Sequence, residues 1–174
     1  GNIYICERYC VTCLANDGTF KWRKGKNASV SSFGTSGSGN GEFSYAYGIT
    51  LGPDGNLYVA DRDNHRVQVL DKNGTFIKKF GEGGSAPGQL SGPQDLIFLP
   101  DGRLIVGDSS YLNYFDSNGT FITRTNSSYA RKYVSLAPDG SIWSYQRLRD
   151  AEGSQIVYQS TVYEYSRTAF TPEG

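Results

Sequence analysis

The chain has 174 residues, 17 Lys/Arg balanced by 17 Asp/Glu, and a single histidine. Neutrality without a long basic run argues against nucleic acid or an anionic membrane surface as a partner, and no apolar stretch is long enough to span a bilayer. Twenty-two glycines and thirteen tyrosines fit short strands and tight turns better than helices.

Residues 1–25 read as a shortened copy of the unit that follows. Gly1-Asn2-Ile3-Tyr4-Ile5-Cys6-Glu7 parallels Gly55-Asn56-Leu57-Tyr58-Val59-Ala60-Asp61, and Asp17-Gly18-Thr19-Phe20 parallels Asn73-Gly74-Thr75-Phe76. The alternation Ile3/Ile5 and Val11/Cys13 predicts half-buried strands, with Asp17-Gly18 as a hairpin turn. Residues 24–32 are a polar addition, expected as a loop or a lengthened outer strand. The central unit, 33–81, predicts strands near 46–51, 56–60, 66–70 and 75–80, with turns at Asp54-Gly55 and Asn73-Gly74. Its motifs then return: Gly41-Glu42-Phe43 as Gly88-Gln89-Leu90, Pro53-Asp54-Gly55 as Pro100-Asp101-Gly102, and Asp61 as Asp108, all 47 residues apart. This copy predicts strands near 94–99, 103–107, 111–115 and 120–124.

A divergent copy starts at Lys132, passes Pro138-Asp139-Gly140, and carries a charged insertion over 147–153 before a strand at 155–165. The approximate units are 1–32 (incomplete), 33–80, 81–124 and 125–174, within one domain of residues 1–174. A fixed period in this range marks a solenoid, propeller or array. No segment carries a sustained helical period, so no helix is expected. Methionine is absent and Gly1-Asn2 shows no leader pattern, so the chain is expected to be a processed product or part of a longer one.

Cys6, Cys10 and Cys13 lie close together. Zinc would need further ligands, and the only histidine is the distant His65. A Cys6–Cys10 disulfide is the preferred reading, with free thiols as its rival. Asn27, Asn73, Asn118 and Asn126 each open an Asn-x-Ser/Thr sequon in a predicted loop or turn, which with the cysteines points to a secreted, N-glycosylated protein at the cell surface or beyond. Asn73-Gly74-Thr75 and Asn118-Gly119-Thr120 are equally good plain hairpin turns.

The string Pro53-Asp54-Gly55-Asn56-Leu57-Tyr58-Val59-Ala60-Asp61, with Asn64-His65-Arg66-Val67-Gln68-Val69 after it, resembles the NHL repeat. The resemblance implies an all-β fold, a β-propeller of four-stranded antiparallel blades. About three and a half blades are present, part of a ring that is usually six-bladed. Bare strand edges at either end of an open array are a liability, so flanking sequence or a neighbouring chain is expected to complete it. Within this frame the loops at 6–10, 24–32, 61–66, 81–93, 107–111, 124–131 and 146–154 share one face. Variable loops on a rigid scaffold are where binding concentrates. Asp61, Asn64, His65, Arg66 and Asp108 are expected to tether blade to blade, because Asp108 recurs without a histidine or arginine. Tyr9, Tyr45, Tyr47, Tyr111 and Tyr129 are the binding-face candidates, since tyrosine offers apolar area with a polar tip.

No catalytic set converges in the sequence, and no Gly-x-Ser-x-Gly elbow appears. The expectation is therefore a binding or scaffold module, not an enzyme, without metal or cofactor, that engages a protein or a glycan. Two alternatives follow from the resemblance. One is a metal-dependent lyase or lactonase whose ligands lie outside this chain. The other is an RNA-binding propeller, disfavoured because Lys21, Arg23, Lys24 and Lys26 form the only compact basic group.

Overall fold

The structure, a computed structural model, describes residues 1–126, 133–137, 142–149 and 155–163. The chain forms antiparallel sheets in sequence order. The first contains β1 (Asn2–Glu7), β2 (Cys10–Ala15), β3 (Phe20–Ser29) and β4 (Ser32–Thr35). The second contains β5 (Ala46–Leu51), β6 (Leu57–Asp61), β7 (Arg66–Leu70) and β8 (Phe76–Phe80). The third contains β9 (Asp95–Phe98), β10 (Leu104–Gly107), β11 (Tyr111–Phe115) and β12 (Phe121–Asn126). Last come β13 (Tyr133–Leu136), β14 (Ile142–Arg149) and β15 (Gln155–Tyr163). Each sheet is a meander, and β5, β9 and β13 lead their sheets and lie side by side. These are blades of a β-propeller with their inner edges together.

The strands form where apolar residues alternate to serve two seams at once. In β6, Leu57 and Val59 face the first sheet while Tyr58 and Ala60 face the third, and all four are fully buried. Leu57, Val59 and Leu70 join Val11, Tyr4, Cys6 and Trp22 in one core. Tyr58, Ala60, Val67 and Val69 join Leu104, Val106 and Phe115 in the next, and Ile105, Leu112, Val134 and Ile142 form a third. A register shift recurs at Cys13/Leu14, Val69/Leu70 and Tyr114/Phe115. Each of these bulges places a phenylalanine, Phe20, Phe76 or Phe121, opposite the residue just after the shift, Leu14, Leu70 or Phe115.

The rim opposite the long loops is also stitched across seams. Trp22 Nε1 donates to Lys72 O at 3.1 Å, and Lys78 Nζ donates to Ser117 O at 2.8 Å. Gly74, at φ 81°, turns the chain directly beneath the Trp22 ring, where a Cβ would come within 3.0 Å of the indole.

Four expectations change. The polar stretch after Lys24 is neither a loop nor only a longer strand, because it folds back as the β3–β4 hairpin and gives the first sheet its fourth strand. Asn27 lies inside β3 and Asn126 ends β12, so only Asn73 and Asn118 sit in turns. Arg62–Asn64 closes a 3-10 turn where no helical turn was expected. The Cys6–Cys10 disulfide is absent and all three thiols are free. Pairing sets Cys6 opposite Val11 and Cys10 opposite Glu7, and successive residues of a strand point to opposite faces, so the two sulfurs lie on different sides of the sheet.

Burial pushes the Cys6 thiol up to about 12 and the Cys10 thiol up to about 11, the second with help from a hydrogen bond to Glu7. At pH 8 the Cys10 thiolate is then about a hundredfold scarcer than that of an ordinary cysteine. Ellman's reagent should find no fast-reacting Cys6 or Cys10 in the folded protein and three thiols after unfolding in guanidinium. A single thiol after unfolding would restore the disulfide.

Candidate functional site at the loop rim

Asp61 ends β6 and is fully buried beneath the loop that leads into its own blade. Its Oδ1 accepts from Ser44 N at 2.8 Å. Its Oδ2 accepts from Arg66 Nε at 2.8 Å, Asn64 Nδ2 at 2.9 Å and Gln68 Nε2 at 3.0 Å. The donors then reach into that loop. Arg66 donates to Ser38 O, Gly39 O and Glu42 O, Asn64 to Gly37 O, and Gln68 to Glu42 O, while Gly41 N returns a bond to Gln68 Oε1. A buried ion pair is tolerated when its remaining donors and acceptors are satisfied in this way.

Asp108 repeats the device without an arginine. It accepts from Ser91 N at 3.1 Å, from Ser110 N and Tyr111 N at 2.7 Å each, and from Asn113 Nδ2 at 3.0 Å. The carboxylates thus hold each blade's entry loop rather than the neighbouring blade. His65 makes the bond to the next blade: its Nδ1 accepts from Gly92 N at 3.1 Å, which places the ring proton of the neutral form on Nε2. Gln68 was not anticipated, although a polar residue between Val67 and Val69 on an inward-facing strand was the available signal. Asp95 was also missed. Its carboxyl, pushed above the usual carboxylate range by burial, accepts from Leu96 N and from Val134 N of the following blade.

Above the tethers the loops meet at a rim. The Arg8 guanidinium lies 5.1 Å from both the Tyr9 and Tyr45 ring centres, and Arg62 lies 5.3 Å from Tyr45. Tyr45 stacks on Tyr47, with centroids 6.1 Å apart. Of the tyrosine candidates, Tyr9, Tyr45 and Tyr47 therefore come together. Tyr111 sits under Arg124 in the third blade, and Tyr129 lies outside the described residues. Beyond Arg62 a cavity of about 590 Å³ opens between the second and third blades, lined by Asp63, His65, Ser91, Gln94 and Ser109. Gln94 is 4% exposed, and no hydrogen bond to its side chain is found among the described residues. Tyr45 and His65 hold φ at 67° and 55°, a region uncommon for side-chain-bearing residues and concentrated at functional sites.

Asp61→Ala should cost about 3–5 kcal/mol of unfolding free energy, because Arg66 is left buried without its carboxylate. Asp61→Asn keeps an acceptor and should cost less. Urea unfolding followed by tryptophan fluorescence measures both, and an alanine variant as stable as the parent would remove the tether's importance.

Residues 43–70 match the family model for the NHL repeat. Protein lin-41 of Caenorhabditis elegans is 41% identical over 68 residues, covering 35% of this chain and 6% of that protein. Virginiamycin B lyase from Staphylococcus aureus superposes with a TM-score of 0.62 at 14% identity, over 91% of this chain and 52% of that one. A gluconolactonase from Xanthomonas campestris gives 0.57 at 15% identity, over 80% and 42%. The chain therefore spans a small part of its curated relative and about half of that lyase. These likenesses overturn the expectation that the protein is not an enzyme. The scaffold is one on which a lyase and a lactonase are built, and the failure to find a catalytic set in the sequence does not exclude catalysis. Residues 43–70 are thus similar to an NHL repeat, set in a β-propeller fold of stacked four-stranded blades.

Proposed function

We propose that this chain is a recognition segment of a propeller and that its loop rim engages a protein or a glycan. The observation that carries the reading is the continuous run from the Tyr9–Arg8–Tyr45–Arg62 stack into the cavity at Gln94. Tyrosine rings give contact area at low conformational cost, and tyrosine and arginine are enriched in binding hot spots. The cavity adds hydroxyl, amide, carboxylate and imidazole groups of both donor and acceptor character. The tethers beneath keep the rim in place before a partner arrives, which lowers the ordering cost of binding.

The superposition on a lyase and a gluconolactonase favours a second reading, in which the rim delivers substrate to a centre that this chain only partly builds. Among the described residues no group of His, Cys, Asp and Glu converges as a metal site. A metal-dependent ring would therefore draw its ligands from elsewhere. We also place the protein outside the cell, supported by the exposure of Asn27, Asn73 and Asn118 within their sequons.

A glycan array probed with the protein should give hits that weaken at least about tenfold in Tyr45→Ala and Arg62→Ala, hot-spot-type losses, with little change in melting temperature. Hits indifferent to both substitutions would remove the rim from the proposal. Hydrolysis of gluconolactone by the protein would move the assignment to the second reading. Peptide N-glycosidase should shift the mass of material from a secretory host, and no shift would contradict the extracellular placement.

A further inference from the structure

The cavity between the second and third blades is walled by hydrogen-bonding groups. Its volume of about 590 Å³ is within the range of pockets that enclose small ligands. Among the described residues no aliphatic side chain, phenylalanine, tyrosine or tryptophan lines it, so the apolar anchor that a protein partner inserts finds no wall to pack on. Its formal charges cancel, since Arg62 Nη1 lies 3.4 Å from Asp63 Oδ1, and an ionised group such as a phosphate gains no net attraction there. Two further side chains are committed in ways that fix what they offer. His65 Nδ1 accepts from Gly92 N, which leaves the neutral ring its Nε2–H as a donor. The Ser109 hydroxyl donates to Ser91 O, so its oxygen is left to accept. Gln94 stands apart from these. It is 4% exposed and its backbone N–H is paired with Gly107 O, yet its side-chain amide, on the cavity wall, has no partner among the described residues. An amide buried in that condition is costly unless something binds it.

We propose that this cavity binds an uncharged sugar residue of a glycan and that the Gln94 amide selects it, an inference that rests on the recognition role assigned to the rim. Each hydroxyl of a pyranose both donates and accepts, and so does a carboxamide through its two ends. One of two neighbouring hydroxyls donates to Gln94 Oε1 while the other accepts from Gln94 Nε2. The Arg62–Asp63 pair and the His65–Ser109 pair each supply one further donor and one further acceptor. A ligand of single polarity leaves half of these groups unpaired, whether it only accepts, as a phosphate or carboxylate does, or only donates, as an ammonium does.

The test is an amide NMR titration with the methyl glycosides of glucose, galactose, mannose and N-acetylglucosamine, and with glucuronate for comparison. At least one neutral glycoside should shift the Ser91, Gly92 and Gln94 resonances, the Gln94 side-chain amide included, at lower concentration than glucuronate does. Gln94→Leu should weaken that binding at least about tenfold, because a sugar hydroxyl is left unpaired. Its melting temperature should stay level or rise, since no hydrogen bond of the fold is lost. Asp63→Asn, at a half-exposed side chain, should move the preference toward glucuronate and serves if the first variant does not fold. A cavity that prefers glucuronate before any substitution overturns the proposal, as does neutral-sugar binding indifferent to both variants. Glycan-array hits or a protein partner lost in Tyr45→Ala, with the cavity silent to every sugar, overturn it while leaving the rim's recognition role standing. Silence of the cavity together with a rim that binds nothing removes both.

Discussion

A carboxylate buried at the end of a blade's second strand, bonded to the backbone of the loop that enters the blade, is the constraint on which the rim depends. Asp61 and Asp108 each face an entry loop of about a dozen residues with little regular structure of its own. Such a loop must satisfy its backbone polar groups or remain mobile. Arg66, Gln68 and Asn64 turn one carboxylate into several bonds with the loop, whereas in the third blade Ser91 N is the entry-loop donor and Ser110 N and Tyr111 N, from the turn after β10, supply the remaining donors to Asp108. The rigid element under the loop rim is therefore polar, while the apolar seams on either side exclude the water that would weaken it.

Much of the fold was legible because the repeat states it more than once. The Pro-Asp-Gly and Asn-Gly-Thr turns and the alternation of Leu57, Val59 and their equivalents placed the strands of the second and third sheets within about a residue or two, the usual scatter of such boundaries. The bulges were not legible. Phe76 and Ile77 look interchangeable in the sequence, and only the register shift puts the first inside and leaves the second 46% exposed. The hairpin after Lys24 was partly hidden because Ser and Asn carry little strand signal. The cysteines misled because spacing alone does not report which face of a strand each sulfur occupies.

At the rim, the sequence located the loops and three of the tyrosines but not what joins them. Arg8 and Arg62 are unremarkable charges until the turn after β1 and the 3-10 turn after β6 bring them to the same Tyr45 ring. Gln94 reads as an ordinary polar residue before β9, and its burial beside His65 depends on two blades meeting.

The amides of Ser44 and Ser91 report most directly on the buried tethers. Native-state hydrogen exchange by NMR should show both exchanging only in the globally unfolded state, as slowly as the amides of β6 and β10, although both lie in loops. Exchange of these two at the rate of open loop backbone would mean that the buried carboxylates do not hold the entry loops, and the rim would lose its foundation.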